Sequence, residues 1–477
     1  MQKIIKLAVF ILISAISLPS FAETNLQFQS GEHIYIGNSA HLYFPVKKGS
    51  TYVYQNLTGA QADFRPLLGL KTANLLSYGK IAASPDYFSN PNVIISNGKS
   101  LTERQTYFNL CFNAFLQTKL TTLNNVYAIM NEEVNLIATA LKNKIQPSIA
   151  YKQKVNYFIN KYYNADPLML QIALVNFDHF GNDAWLAYQA GHAQAINTAY
   201  LAFKEKTPEK KAKQLVTAYA KEAFADHFLS DNFAAGHMRV PRRELAAISA
   251  SESSNGAIGN LLAAFMHDED NGFALYPTNL NHDTWIAYGD NYYLDVVDQK
   301  NRQLMEITLQ QSIDEVIKAF QQGVITPDTK YAAKKMIPNI NALKNYLTYV
   351  NSRSKTIPLF VYDANLNNLL RRKDINMLHP KKLPITINNM KRHSGLSGWW
   401  ASTTLYELQN NYHPTVNTKI NYELATITEK DGQLNAKGWY LLAKSLTKYQ
   451  RALFCADKTT SKLMRNYLQC GVKNNEP

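Results

Sequence analysis

The segment that decides the fold is residues 212–237, AKQLVTAYAKEAFADHFLSDNFAAGH. Its apolar residues recur three or four positions apart, which is the spacing of one buried face of an α-helix. Residues 193–203 have the same spacing, and Pro208 with the lysines around it predicts a loop between two such helices. The helical pattern extends from about Leu101 to Ala264. We therefore predict a mainly α fold.

Strand-like stretches are shorter and lie near residues 34–44, 357–362 and 419–427. The run NSRSKTIP at residues 351–358 is typical of a connection, so we place a domain boundary near residue 350. The sequence then predicts a helical domain over residues 23–350. A smaller mixed α/β or β-containing domain follows over residues 351–477, and the sequence does not indicate its role.

The amino terminus has the pattern of a secretory signal peptide. Lys3 and Lys6 precede a mostly apolar run, and Ser20-Phe21-Ala22 has the small-x-small form of a cleavage site. No later stretch approaches about 18 continuous apolar residues, so no transmembrane segment is expected after cleavage at residue 22. We predict an exported protein, periplasmic or extracellular.

Charge and cysteine content narrow the chemistry. The formal net charge is +14, which favours anionic partners or serves only to keep the surface solvated. Cys455 and Cys470 could close a short loop, with Cys111 left free. Three cysteines so far apart cannot form a thiolate site, so a bound metal would need histidine and carboxylate ligands.

The sharpest motif is His227-x-x-x-Asp231-x-x-x-x-x-His237. His227 and Asp231 are four residues apart, so on a helix they lie on one face and can bind one ion. Gly236 would end the helix and let His237 turn toward a second ion. The alternative is an ion pair on a solvated helix face, which the apolar neighbours Phe228 and Leu229 disfavour.

Asp178 and His192 form a second candidate pair, with His179 or Asp183 as alternates. The competing interpretation of Asp178 or Asp183 is a helix cap.

A third candidate pair is His267 with Asp270, for which Asp268 or Glu269 could substitute. The acidic run that follows His267 is also compatible with a calcium-type turn.

In combination these motifs resemble the trinuclear zinc phospholipase C family, in its secreted Gram-negative branch. That family shares its helical fold with single-strand nucleases of the P1/S1 type. The similarity covers roughly residues 30–295. It includes the blocks LSYGKI (76–81), DYF (86–88), HFGNDAW (179–185), MHDEDN (266–271) and WIAYGD (285–290).

The resemblance implies three ligand sets. One zinc would be held by Asp178, His192, His227 and Asp231. Asp231 would bridge to a second zinc that also binds an N-terminal histidine, for which His33 is the candidate and His41 the alternate. The third zinc would bind the His237, His267 and Asp270 side chains.

Two positions depart from the family pattern. Relatives often use a mature amino-terminal tryptophan as a ligand, whereas cleavage here would expose Glu23, and Asp86 could take the missing place. Asn271 stands where the family usually has glutamate. We therefore expect two or three zinc ions.

The function that the resemblance implies is phospholipase C activity. A phospholipid membrane surface would be the substrate, Asp178 and Asp231 would be catalytic, and no stable nucleic acid complex is expected. The alternatives are a P1/S1-like zinc nuclease or nucleotidase, and a non-catalytic secreted protein that binds metal or lipid. The chain has no H-E-x-x-H protease motif and no Walker-type phosphate loop.

Overall fold

The computed structural model describes residues 30–250, 257–339, 357–364, 368–378, 390–392, 397–412 and 414. The described part is mainly helical, which confirms the predicted fold class. The helices in chain order are α1 (Ser30–Ser39), α2 (Arg65–Leu68), α3 (Tyr78–Ala82), α4 (Pro85–Phe88), α5 (Leu101–Leu116), α6 (Leu120–Lys142), α7 (Pro147–Lys152), α8 (Val155–Ala165), α9 (Leu168–Leu174), α10 (Gly181–Lys204), α11 (Pro208–Asp231), α12 (Ala235–Met238), α13 (Arg242–Ala250), α14 (Ala257–Phe273), α15 (Gln299–Gln322), α16 (Ala333–Met336) and α17 (Ser397–Asn411). Short 3₁₀ turns occur at Ile95–Asn97, Phe177–His179, Val296–Asp298 and Asp328–Lys330.

The centre of the molecule is the pair α10 and α11, which pack along their whole length and also contact α15. Small side chains let the two helices approach closely. A Cβ atom on Gly191 of α10 would lie 2.6 Å from Cβ of Ala225 on α11 and 2.3 Å from a ring carbon of Phe108. The alanine-rich pattern of the sequence thus corresponds to a tight helix pair that is buried on most sides.

Two strands lie near the amino terminus. Strands β1 (His41–Lys48) and β2 (Thr51–Thr58) form an antiparallel hairpin in which His41 is opposite Thr58. The prediction of strand over residues 34–44 is wrong for its first half, because residues 34–39 belong to α1. That helix is buried between α3 and α6, and its tertiary contacts outweigh the β preference of its isoleucines.

The described carboxy-terminal part contains a three-stranded antiparallel sheet. It is formed by β3 (Phe360–Asp363), β4 (Asn368–Arg372) and β5 (Met390–Arg392), in the order β3-β4-β5. The sheet and α17 share a hydrophobic cluster with α13 and α14. Arg372 donates from both terminal nitrogens to the carboxylate of Glu269 on α14, at 2.8 and 2.6 Å. The predicted boundary near residue 350, the strand near 419–427, residues 1–29, Cys455 and Cys470 lie outside the described residues.

No helix in the described part of the chain combines the length and the apolar character that a membrane span requires.

Candidate metal centre

Four ligand atoms from three parts of the chain converge beside the last turn of α11. His227 and Asp231 share one face of that helix, His179 lies in the turn before α10, and Asp86 belongs to α4. Nε2 of His227 lies 3.0 Å from Nδ1 of His179 and 3.4 Å from Oδ1 of Asp86. Oδ2 of Asp231 lies 2.9 Å from the same His179 atom and 3.5 Å from the His227 atom. We call this set the α11 group.

His33 extends the α11 group on its other side. Its Nε2 atom lies 3.7 Å from Oδ1 of Asp231, the oxygen that does not face His179. The imidazole rings of His33 and His227 are also close, with centroids 4.4 Å apart. Asp231 can therefore offer one oxygen to each of two ions, and His33, His227 and Asp231 form a buried set within ligand distance of one another.

A second convergence, which we call the α14 group, joins His237, His267 and Asp290. Oδ2 of Asp290 lies 3.0 Å from Nε2 of His237 and 2.9 Å from Nε2 of His267. The two Nε2 atoms are 3.2 Å apart. Four ligands roughly 2.0–2.1 Å from a tetrahedral zinc ion lie about 3.3 Å from one another, so both groups have the spacing of a metal site.

Asn271 lies at the edge of the α14 group and has a structural role. Its Oδ1 atom accepts a hydrogen bond from the backbone N–H of Gly236 at 2.6 Å, next to His237. Its Nδ2 atom lies 3.1 Å from Nε2 of His267. The amide oxygen is thus already engaged, and Asp290 supplies the carboxylate of this group.

Hydrogen bonds at Nδ1 orient three of the histidine rings so that Nε2 points toward the other members of its group. Nδ1 of His227 lies 2.9 Å from the carbonyl of Ala82, and Nδ1 of His237 lies 2.8 Å from the carbonyl of His179. A carbonyl oxygen only accepts, so both Nδ1 atoms carry the proton. Nδ1 of His267 lies 2.9 Å from the Asp268 carboxylate in the same way. Such partners orient metal-binding imidazoles and leave the opposite nitrogen free to bind.

Ser230 orients the ring of His33 through a similar hydrogen bond at Nδ1. The serine hydroxyl donates to the carbonyl of His227 at 2.8 Å and lies 2.9 Å from Nδ1 of His33. Because its only proton is already donated, the serine oxygen must accept from Nδ1 of His33. Nε2 of His33 is therefore unprotonated. Burial and the neighbouring His227 also lower the pKa of His33 to about 4, so the ring is uncharged and the lone pair of Nε2 is free to bind a metal ion.

The buried carboxylates of both groups favour positive charge beside them. Burial opposes a charged His227, yet Asp231 and Asp86 raise its pKa to about 9. Burial also opposes a charged His267, yet Asp268 and Asp290 raise its pKa to about 10. Protons on the imidazoles thus balance the carboxylates in the absence of another cation. A divalent ion would provide the same balance and release those protons.

An orphaned oxygen supports the fit of a cation. Oδ2 of Asp231 is fully buried, and within the described part of the chain no donor meets it with hydrogen-bond geometry, although Nδ1 of His179 is 2.9 Å away. A buried carboxylate oxygen without a donor is costly, and a metal ion is a common reason for one. The nitrogen and oxygen donor sets are those that zinc binds, so the residues present fit such an ion.

Five of the predicted ligands lie in these groups: His33, His227, Asp231, His237 and His267. The other three, Asp178, His192 and Asp270, do not, and we revise their assignment. Asp178 accepts backbone hydrogen bonds from Ile95 and Ser96 at 2.6 and 2.9 Å. Both of its oxygens are therefore used to hold a loop, and Asp178 is not a member of either group.

His192 lies in a separate buried cluster between α10, α11 and α15. Its Nδ1 atom is 2.8 Å from the carboxylate of Glu222, and its Nε2 atom is 2.8 Å from Oε2 of Glu315. The rings of His192 and Tyr188 stack at 5.2 Å. Because both imidazole nitrogens are bound to carboxylates, His192 has no free donor for the α11 group.

Asp270 forms a buried ion pair with Arg239. Its two oxygens accept from Nε and Nη2 of the guanidinium at 2.7 and 2.5 Å, and both side chains are almost fully enclosed. The side chain therefore neutralises an arginine. The carboxylate that lies beside His237 and His267 is that of Asp290.

Three members of the two groups are not among the ligands predicted from the sequence. His179 was weighed as an alternate for the second pair, and Asp86 as a replacement for a missing amino-terminal ligand. Asp290 ends the block WIAYGD, which contributed to the resemblance, but it had no assigned role. The sequence feature that could have identified Asp290 is its position in an apolar, aromatic run with no basic residue nearby to pair with it.

The fold and the site together define a mainly helical protein with buried His/Asp groups that could hold metal ions. No protein-family model, no curated protein and no solved structure matches the chain. Its family and activity are therefore matters for proposal.

Proposed function

We propose that this protein is a secreted zinc-dependent phosphodiesterase, and specifically a phospholipase C with a P1 nuclease-like helical fold. The observation that carries the proposal is the convergence of the α11 and α14 groups at one end of the central helix pair. Adjacent sets of histidine and aspartate are typical of enzymes that hydrolyse phosphate esters with two or more metal ions. The motif resemblance selects phospholipids among the phosphodiesters.

The ligand roles follow from the contacts. Asp86, His179, His227 and Asp231 would hold one ion, and His237, His267 and Asp290 a second. His33 with Oδ1 of Asp231 offers a place for a third. When bound, the ions would supply positive charge for the phosphate oxygens and lower the pKa of water.

The protein's own residues set the charge of the site. Asp86, Asp231 and Asp290 carry three negative charges, and the five histidines are neutral when they bind metal. Two divalent ions therefore leave the site with one net positive charge, which suits an anionic phosphodiester. The reaction would cleave the glycerol-side phosphodiester bond with water and release diacylglycerol and a phosphorylated headgroup.

Metal analysis combined with two substrate assays tests the proposal. We expect purified protein to contain two or three zinc ions and to release phosphorylated headgroup from phosphatidylcholine vesicles. Excess chelator should abolish release. The variant Asp231→Asn should lose at least 100-fold in turnover because it weakens both sites that Asp231 joins. Asp314→Asn, at an exposed position on α15, is the matched control and should keep full activity.

Each alternative gives a different outcome. Faster cleavage of single-stranded DNA than of phospholipid would indicate a nuclease. Bound zinc without turnover on either substrate would indicate a binding protein. Full phospholipase activity in excess chelator would contradict the proposal altogether.

A further inference from the structure

The end of the helix pair opposite the metal groups exposes four large apolar side chains. Leu201 and Phe203, in the last turn of α10, are 56% and 40% exposed, and Val324 and Ile325, just after α15, are 39% and 45% exposed. The two segments touch, because a Cβ atom on Gly323 would lie 2.5 Å from a ring carbon of Phe203. Phe203, Val324 and Ile325 therefore form one apolar patch, and Leu201 lies on the same turn of α10.

Lysines are concentrated in the two chain segments that carry this patch. Residues 201–213 contain five lysines and two glutamates, and Lys318 is added from α15. Lys204, Lys206, Lys210, Lys213 and Lys318 are all exposed. Of the two glutamates, Glu205 already accepts the backbone N–H groups of Lys206 and Thr207. We call the four apolar residues with these five exposed lysines the basic tip.

The basic tip is distant from the metal groups. His227 follows Pro208 by 19 residues on α11, a rise of roughly 28 Å along the helix. No residue of the tip belongs to the α11 or α14 group. Changes in the tip should therefore leave those groups intact, so the tip can be tested separately from the proposed activity.

We propose that the basic tip is a docking surface for an anionic phospholipid bilayer. Exposed aliphatic and aromatic side chains can enter the headgroup region while lysines around them meet the anionic lipids. A nucleic acid fits less well, since residues 201–213 and 318–325 contain no arginine and present one ring, Phe203, for base stacking. Because the metal groups lie at the other end of the helix pair, docking by the tip and cleavage of a lipid would be separate contacts with the bilayer.

Vesicle sedimentation with matched variants tests this surface. Wild-type protein should sediment with vesicles that contain phosphatidylcholine and about 30% phosphatidylglycerol, and much less with vesicles of pure phosphatidylcholine. Lys206→Glu/Lys210→Glu should lower the partition coefficient by roughly 30-fold or more, since the loss of each surface lysine alone costs about fivefold. Phe203→Ser/Ile325→Ser should also lower it. Higher salt should weaken binding by the wild type.

Controls of the same chemistry lie elsewhere on the surface. Lys142→Glu/Lys144→Glu reverses two exposed lysines at the end of α6, and Leu110→Ser/Leu120→Ser removes two exposed leucines. Both controls should bind like the wild type. Thermal melting of every variant confirms that it is folded. Headgroup release is assayed in the same samples, so a failed activity and a failed docking surface give different results.

Two results would overturn the inference. The first is equal vesicle binding by the Lys206→Glu/Lys210→Glu variant and its Lys142→Glu/Lys144→Glu control. The second is a loss of single-stranded DNA binding in the tip variants while vesicle binding is unchanged, which would identify nucleic acid as the partner.

Discussion

Replacing Asp270 with asparagine separates a structural role for this residue from a ligand role. Asp270 follows His267 by three residues, and its partner Arg239 follows His237 by two. Their bidentate ion pair therefore connects the two segments that carry the histidines of the α14 group. Asparagine keeps the size of the side chain but removes its charge, which leaves the Arg239 guanidinium buried without its carboxylate.

The expected cost is large because both partners are enclosed, each side chain being 2% exposed. Removing one member of a buried pair typically costs about 3–5 kcal/mol of unfolding free energy. We expect a loss in that range, measured by urea unfolding of the metal-loaded protein. Zinc content at saturating metal should stay unchanged, while zinc affinity should fall because the segments that hold His237 and His267 are less fixed.

A double variant provides the control for this reasoning. Arg239→Met/Asp270→Leu removes both charges and should recover much of the lost stability, because no uncompensated charge remains. The reasoning would be refuted if Asp270→Asn lost one equivalent of zinc at saturation while the stability of the metal-free protein was unchanged. That result would make Asp270 the ligand that the sequence motif suggested.

Three further predictions concern other parts of the structure. Burial opposes a charged His192, but its two glutamate partners raise its pKa to about 10 from an ordinary 6.5. The stabilisation is therefore complete below pH 6.5 and is lost as the pH rises through 10. The difference of about 3.5 pH units between the two pKa values is worth on the order of 5 kcal/mol, and His192→Gln should flatten the stability profile over that window. Gly289→Ala would place a Cβ atom 1.8 Å from Oδ1 of Asn271, so it should lower zinc affinity; Gly272→Ala, which meets no atom within 4 Å, should not. Arg372→Met should cost about 3–5 kcal/mol in urea unfolding because Glu269 is left buried without a cation, with the Tyr412 hydroxyl as its remaining donor; joint replacement of Glu269 by leucine should restore part of that loss.

The central helix pair could be predicted because its pattern is local. Apolar residues three or four positions apart define one helix face without reference to the rest of the chain, and the same spacing places His227 and Asp231 together. The helix α1 was missed for the opposite reason. Its isoleucines favour a strand, and only the packing of the segment against α3 and α6 makes it helical.

The ligand set required information that no single segment contains. Asp178 and Asp86 both lie in or beside short helical turns, yet one is held by backbone N–H groups and the other faces three histidines. What separates them is the distant chain that packs against each carboxylate. A motif therefore identifies which residue types are unusual at a position, but it does not identify their partner.

The three acids that follow His267 show the same dependence on distant partners. Asp268, Glu269 and Asp270 are consecutive, and each has a different partner: the His267 imidazole, Arg372 and Arg239. Successive residues on a helix point about 100° apart, so three neighbouring acids must meet three different surroundings. Arg372 and Arg239 engage Glu269 and Asp270, and Asp268 faces the Nδ1 side of His267, away from the Nε2 atom that belongs to the α14 group. The carboxylate of the α14 group had to come from elsewhere, and Asp290 is the acid that lies within 3.0 Å of both histidines.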